Sequence, residues 1–507
     1  MNLNRLAAAS TAALLLTLAA CAGALDEQTA HAAPPFGTWP PVWQDLPEPP
    51  QSDFTMPSFE RPTASQCHRA PTTREVPGGR REQQELSSSR GRRGDAESVP
   101  RELRSEAPAL ARKSEAPRGA ALADAAAPTT VAPAAPAERS FAPAPWPQSQ
   151  SQPTPQRPAH ETVTAGMVDD NADFGEYLAY RQRHSGLAVR ERDISERYLL
   201  EVTDSNGRPV HDAEVAVQRP GVAQPVMWAR TDTAGRVWLH PRAFMAGGSG
   251  DERMLGVAVR KGATQARATL QRGQAQAVQV QLGASVATQR PRLDLVFLVD
   301  ATGSMGDEIA KLKTSMRAVS QQISQLPGQP DICYGLVAYR DRGDVFLTRT
   351  HDFSDDLGAF QQVLARVQAG GGGDPPEALN EALHEVVHGL SWRSDAARMV
   401  VLVADAPPHL DYGGPQYDRD MQAALAKGIK LFAVGASGLD PVGEYIFRQM
   451  AQYTAGRFVF LTYKDAANPG SGPGTQTPHD VGQYSVQTLD RLIVRLVSEE
   501  MARLARS

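Results

Sequence analysis

From residue 291 onward the hydrophobic positions fall into short unbroken runs separated by stretches of helical spacing. The runs LDLVFLV (293–299), ICYGLVAY (332–339), RMVVLVA (398–404), IKLFAVG (429–435) and RFVFLTY (457–463) show no polar alternation, which predicts strands covered on both faces. Helical patterns occupy 305–325, 355–368, 375–390, 415–427 and 440–454, with a Gly/Pro-rich insert, ANPGSGPGTQTPHD, after the last strand. A final amphipathic stretch gathers Leu489, Leu492, Ile493, Leu496 and Met501 on one side, suited to packing on the sheet. Strands alternating with helices predict an α/β fold over 291–507, doubly wound around a mostly parallel sheet.

Between 195 and 285 the period changes to two. RYLLEVTD, AEVAVQ, TDTAGRVWL, MLGVAVRK, QARATLQ and AVQVQL read as short strands, with Asn206-Gly207 as a hairpin signal after the first, and together they predict a small β-sandwich. Its pattern Val202-x-Asp204-x-x-Gly207-x-Pro209-Val210-x-x-Ala213-x-Val215, followed by Thr231-Asp232-x-x-Gly235-x-Val237, resembles the carboxypeptidase regulatory-like (transthyretin-like) sandwich. Nothing in the block has the make-up of an active site, so it reads as a spacer or adhesive module. Residues 166–194 read as a helical lead-in to it.

Composition separates the rest of the chain. Most of the 39 prolines lie before residue 165, in a segment of Pro, Ala, Ser, Gln and Arg with too few large apolar groups to offset the entropy of ordering. Residues 22–165 are therefore expected to form a disordered tether. The basic stretch GGRREQQELSSSRGRRGD within it reads as solvated spacer, and the two Arg-Gly-Asp tripeptides, at 93–95 and 342–344, are too short to carry weight. A net charge of −5 argues against a general nucleic-acid binder.

The first 21 residues carry Arg5 and then an apolar run shorter than the ~20 residues that span a bilayer, which describes a signal peptide. Its end, Leu18-Ala19-Ala20-Cys21, resembles the lipobox of bacterial lipoproteins; the other reading is ordinary cleavage after a small residue. The resemblance implies a lipid on Cys21, and Ala22 in place of Asp implies the outer membrane. Localisation in a bacterial cell envelope follows as an expectation. Of the other cysteines, Cys67 lies in the tether and Cys333 in a core strand, so no disulfide is expected and Cys333 reads as a small buried hydrophobe.

The most apolar strand runs straight into Asp300, Thr302 and Ser304. In an open parallel sheet ligands sit beyond the carboxyl ends of the strands, where strand order reverses. One carboxylate and two hydroxyls are hard oxygen donors, which suit Mg²⁺, Mn²⁺ or Ca²⁺ and not Zn²⁺. A single charge holds a dication poorly, and further carboxylates are available at Asp405, after the strand RMVVLVA, and at Asp374, in the loop GGGGDPPEAL. Pro375 and Pro376 fit the first turn of the helix that follows. The plainer reading makes Ser304 and Asp374 helix N-caps.

The Asp300-x-Thr302-x-Ser304 motif after an apolar strand, Asp405 after another, and the strand–helix alternation resemble the von Willebrand factor type A domain with its metal-ion-dependent adhesion site. The resemblance implies a divalent cation, Mg²⁺ first and Mn²⁺ or Ca²⁺ otherwise, held by Asp300, Thr302, Ser304, Asp374 and Asp405. Thr302 stands where the family has the first of two serines. Asp374 stands where the family has threonine, in a sequence that looks like the GGxDxPEA variant of hemicentin-like members. The added charge is expected to hold the cation more tightly and make it a weaker Lewis acid. The resemblance further implies a protein partner that offers an Asp or Glu carboxylate to the cation, a binding role in adhesion or envelope scaffolding, and no catalysis.

One motif points to another class. His384-Glu385-Val386-Val387-His388 fits H-E-x-x-H, in which two histidines bind zinc and the glutamate activates water. An envelope zinc metalloprotease is the alternative function. Against it, Leu379, Ala382, Leu383, Val386, Val387 and Leu390 form the apolar stripe, so His384 and His388 are expected to face solvent, and positions 391 and 394 are serine where a longer zincin motif needs Gly and His. Tyr339-Arg340-Asp341 closes its strand near the same rim, as part of a partner groove or simply as a strand end.

Overall fold

The computed structural model describes residues 67–79, 162–220, 222, 224–244, 252–284, 290–373 and 375–504. The signal sequence, Cys21, Asp374 and most of the tether lie outside the described residues. In chain order the first elements are strand β1 (Thr73–Val76), strand β2 (Thr164–Val168) and helix α1 (Phe174–Arg183). Two small sheets follow. One contains β3 (Tyr198–Thr203), β6 (Arg236–Leu239) and β9 (Val278–Gln281) in the order β6-β3-β9. The other contains β4 (Glu214–Gln218), β5 (Pro225–Arg230), β7 (Met254–Lys261) and β8 (Thr264–Gln271) in the order β5-β4-β7-β8. Tyr198, Leu200 and Val202 alternate inward along β3 and share a core with Val215, Val217 and Val257 of the other sheet. Gly207 takes the positive φ of 76° that the turn requires, but the turn closes only a single bridge, Thr203 to Pro209. The chain then crosses to the second sheet instead of completing a hairpin.

The five apolar runs become β10 (Arg292–Asp300), β11 (Asp331–Tyr339), β13 (Ala396–Ala404), β14 (Ile429–Gly435) and β15 (Phe458–Asp465). They pair in parallel in the order β11-β10-β13-β14-β15. Around them lie α2 (Ile309–Ile323), α3 (Leu357–Arg366), α4 (Leu379–His384), α5 (Tyr417–Ala426), α6 (Pro441–Tyr453) and α7 (Leu489–Leu504). Period two sorts the β10 side chains between two layers. Leu293, Leu295, Phe297 and Val299 pack with Leu312 and Met316 of α2, Leu364 of α3 and Leu496 of α7. Val296 and Leu298 pack with Leu383 of α4, Met421 of α5 and Ile446 of α6. Helix α2 forms because Ile309, Leu312, Met316, Val319 and Ile323 recur at helical spacing, and Pro327 with Gly328 at positive φ prevents its continuation. The doubly wound α/β expectation holds.

Antiparallel strands extend this sheet to ten. β12 (Thr348–Ser354) and β1 add to one edge, and β2 with β17 (Gln487–Thr488) to the other. β16 (Asn468–Pro473), formed by the Gly/Pro-rich insert, folds back on β15. Two expectations fail at the β1 edge. Residues 67–79 belong to the fold instead of to a disordered tether, because Thr73–Val76 pairs with β12 and Glu75 meets Arg349 at 2.7 Å. That pairing brings Cys67 beside β11, where it forms a disulfide with Cys333, their Cα atoms 6.2 Å apart. Cys333 is buried, but it is a crosslink and not merely a hydrophobe.

The two small sheets sit against the amino ends of the parallel strands. Asp212 pairs with Arg398 at 2.8 Å near the start of β13, and Asp232 with Lys430 at 3.1 Å at the start of β14. His240 stacks on Tyr453 at the end of α6, with ring centroids 5.0 Å apart. The lead-in helix finds its partner in α6 as well: Tyr180 stacks on Tyr445, and Arg448 bonds Asp170 at 2.7 Å.

Candidate metal centre

Strand order reverses between β10 and β13, and the loops that leave these two strands carry Asp300 and Asp405. Asp300, the last residue of β10, is fully buried. Thr302 turns back on it, its backbone N–H donating to Asp300 Oδ1 at 2.9 Å and its hydroxyl at 2.7 Å. Thr302 Oγ1 also lies 3.0 Å from Ser304 Oγ, and Ser304 donates to Asp405. Four of the five expected ligands therefore converge; Asp374 is the one outside the described residues. Ser304 is not a helix cap. It lies in a 3₁₀ turn, Gly303–Asp307, and α2 begins only at Ile309.

The glycine loop ahead of Asp374 closes over this turn. Gly371 accepts from Gly303 N at 3.0 Å, and Gly370 N donates to Ala301 O at 3.0 Å. Gly372 has φ of 69°, and a Cβ on it would stand 2.7 Å from Glu377 Oε1 and 3.1 Å from Thr302 Cβ, so only glycine fits both the backbone and the space. Its N–H donates to Asp344 Oδ2 at 2.7 Å, which turns the acid of the second Arg-Gly-Asp tripeptide inward as a loop support. The Pro375-Pro376 pair precedes α4 instead of opening it: the peptide between them is cis and the helix starts at Leu379.

Glu377 escaped the sequence reading. It is only 3% exposed, and its backbone bonds to the loop after Asp405, through Glu377 N to Pro407 O at 3.0 Å and His409 N to Glu377 O at 3.2 Å. Among the described residues its Oε2 is buried without a hydrogen-bond partner, as is Asp405 Oδ1. The only signal in the sequence was a second carboxylate three residues beyond Asp374. Tyr339-Arg340-Asp341 lies beside these residues. Tyr339 is buried and donates to Asp300 Oδ2 at 3.2 Å, Arg340 Nε donates to Ala301 O at 3.1 Å, and Asp341 accepts from Tyr412 at 3.1 Å.

Burial pushes Asp300 up to about 7, with the neighbouring Asp405 adding to it. Burial also raises Asp405. Glu377 is pushed up to about 9, first by burial and then by Asp300, Asp341, Asp344 and Asp405. Buried carboxylates that repel one another, two with an unpartnered oxygen, form a set that a hard dication neutralises. The donor chemistry fits Mg²⁺, Mn²⁺ or Ca²⁺.

The H-E-x-x-H residues are not placed as expected. His384 is 2% exposed and His388 is half-buried, both turned toward Asp420 of α5 instead of toward solvent. The apolar stripe was real, but the helix widens to a π-turn over Glu385–Gly389, and α5 covers the polar side. Glu385 is fully buried and paired with Arg74 of β1, so the group a zincin would use to activate water is engaged elsewhere.

Comparison with known proteins bears on the domain at residues 294–467. The model of the von Willebrand factor type A domain family matches residues 294–467. The chain is similar to "Alpha-protein kinase vwkA" of Dictyostelium discoideum, 33% identical over 119 residues, which are 23% of this chain and 19% of that protein. It is also similar to "von Willebrand factor A domain-containing protein 7" of Rattus norvegicus, 39% identical over 95 residues, which are 18% of this chain and 10% of that protein. The chain thus spans a fifth or less of the length of these curated relatives. Among solved structures, "von Willebrand factor type A from Catenulispora acidiphila" aligns with 14% identity and a TM-score of 0.30, covering 59% of this chain and 51% of that one. The family match and the strand and helix order place a von Willebrand factor type A domain at residues 294–467 of this chain.

Proposed function

We propose that the chain is a metal-dependent protein-binding module of the bacterial cell envelope. Domains of this type generally mediate protein–protein interaction. Asp300, Thr302, Ser304, Asp374 and Asp405 would hold one divalent cation, Mg²⁺ in the first place and Mn²⁺ or Ca²⁺ otherwise. When bound, the cation supplies an electrophilic position that accepts an Asp or Glu carboxylate of a partner protein. A lipid on Cys21 would anchor the chain in the outer membrane, with adhesion or envelope scaffolding as the role, no reaction catalysed and no nucleic acid bound. The observation that carries the metal reading is the convergence of Asp300, Thr302, Ser304 and Asp405 at the strand switch point, with Asp405 Oδ1 buried and unpartnered. Asp300 and Asp405 carry the charge, Thr302 and Ser304 orient them, and Tyr339 fixes the second oxygen of Asp300.

The test is affinity capture from envelope extract in Mg²⁺ and in EDTA, with wild type and the pair Asp300→Ala, Asp405→Ala. Capture of a partner in Mg²⁺ alone, lost in the double variant while cooperative unfolding is kept, is expected. Capture that continues unchanged in EDTA overturns the metal-dependent reading. The protease alternative gains no support, because Glu385 is buried on Arg74.

A further inference from the structure

We propose that His384, His388 and Asp420 form a second metal site, one for a borderline transition-metal dication such as Zn²⁺, that fastens α4 to α5. His384 Nδ1 lies 3.1 and 3.3 Å from the two oxygens of Asp420, and His388 Nε2 lies 3.0 Å from Oδ1. All three donor atoms lie within 4.8 Å of one another. Ligands at ~2.0–2.1 Å around a tetrahedral zinc ion stand ~3.3 Å apart, so each nitrogen already stands at about that separation from an Asp420 oxygen, and the two nitrogens lie within 4.8 Å of each other. Two imidazoles and one carboxylate suit zinc, copper or nickel and not magnesium or calcium, so the donor chemistry sorts this site from the all-oxygen centre. Asp420 and His384 are buried, and the His388 side chain keeps 10% exposure, which leaves a path for a water molecule as fourth ligand.

The local structure is arranged to present these groups. The π-turn at Glu385–Gly389 brings the two rings to a centroid separation of 4.4 Å, tilted by 35°. Metal on His388 Nε2 would place the ring proton on Nδ1, so Nδ1 would cease to accept from Lys427 Nζ, 3.5 Å away, and Lys427 would keep its 2.8 Å bond to Val387 O. Without metal the same groups form a hydrogen-bonded triad, so the fold does not depend on the ion. The consequence is mechanical. α4 follows directly on Glu377, and α5 follows the loop that carries Asp405, so an ion here ties together the two elements behind the carboxylate centre.

Tag-free, disulfide-intact chain, stripped with chelator and re-equilibrated, is titrated with Zn²⁺ against a chromophoric chelator, and with Co²⁺ by visible absorption. One equivalent of Zn²⁺ is expected in wild type and in Asp405→Ala alike. Loss of an outer partner of a metal ligand alone lowers affinity ~10–100-fold, so His388→Ala and Asp420→Asn are expected to bind zinc at least ~100-fold more weakly. Co²⁺ in wild type is expected to give the intense bands of a four-coordinate nitrogen-containing site, a readout that needs no variant to fold. Where His388→Ala loses cooperative unfolding, His388→Gln replaces it. No zinc uptake by wild type overturns the site, as does equal affinity in the His388 variant. Uptake lost in Asp405→Ala but kept in the His388 variant assigns the ion to the carboxylate centre and overturns it equally.

Discussion

At the residue scale, the carboxylates of the candidate metal centre would set how the proposed cation binding responds to pH. Asp300 is pushed up to about 7 and Glu377 to about 9, by burial first and then by neighbouring acids. A cation binds the deprotonated groups and must displace their protons. Divalent-cation affinity is therefore expected to rise steeply between pH 6 and 9, by up to tenfold per pH unit for each proton released, in titration calorimetry run at several pH values. The stability of the metal-free chain should move the opposite way. Both folded-state pKa values lie above the unfolded ones of about 4, so stability is present below pH 4 and is lost as pH rises through 7 and 9. Glu377→Gln removes a carboxyl that would ionise on cation binding, and its expected effect is a weaker cation site, by roughly tenfold, with a shallower pH slope. A variant with wild-type affinity would remove Glu377 from the centre.

At the element scale, the β1 segment holds an otherwise open sheet edge. Its backbone pairs with β12, Arg74 reaches Glu385, Gly78 accepts from Gly343 N at 2.6 Å, and the Cys67–Cys333 bond fixes its start. Replacing both cysteines by serine is expected to cost about 2–5 kcal/mol in denaturant unfolding. The same elements show what the sequence disclosed. The five parallel strands were legible because burial on both faces leaves unbroken apolar runs, and Asp300, Thr302, Ser304 and Asp405 were legible because they follow such runs. β12 reads TRTHDFS and has no apolar run, yet Thr348, Thr350 and Phe353 are buried, their surroundings supplied by β1 and β11. β1, four residues long, is defined by its partner and not by its own pattern. The two histidines were misplaced because the periodicity of a single helix does not register the helix that covers its polar side, and Glu377 went unread because the loop after Asp405 that packs on it is distant in sequence.

At the scale of the whole molecule, the two small sheets are joined to the α/β domain through charge and through a buried imidazole. His240 is fully buried, its ring nitrogens have no hydrogen-bond partner, and burial first, then Arg197 and Arg181, pushes it down to about 3. Unfolded histidine takes up a proton near pH 6.5. Below that value the unfolded chain binds more protons than the folded one, so stability is lost as pH falls from about 6.5 toward 3, at about 1.4 kcal/mol per unit. His240→Phe keeps the stacking on Tyr453, and its expected result is a flatter unfolding profile between pH 6.5 and 4. Removing Asp212 leaves Arg398 buried beside it without its carboxylate, and Asp212→Ala is expected to cost about 3–5 kcal/mol in the same measurement.

β1 and β2, which flank residues 80–161 in the sequence, join the large sheet on opposite sides. A protease that cuts within those residues would produce two polypeptides that still travel as one particle, since sulfur and a strand ladder keep the leading piece on β12 and β11. On a gel the nicked protein should run as a single band until a reductant is added. Any lipid on the leading piece would accordingly retain the α/β domain after such a cut, and release would require both reduction of the Cys67–Cys333 bond and separation of β1 from β12.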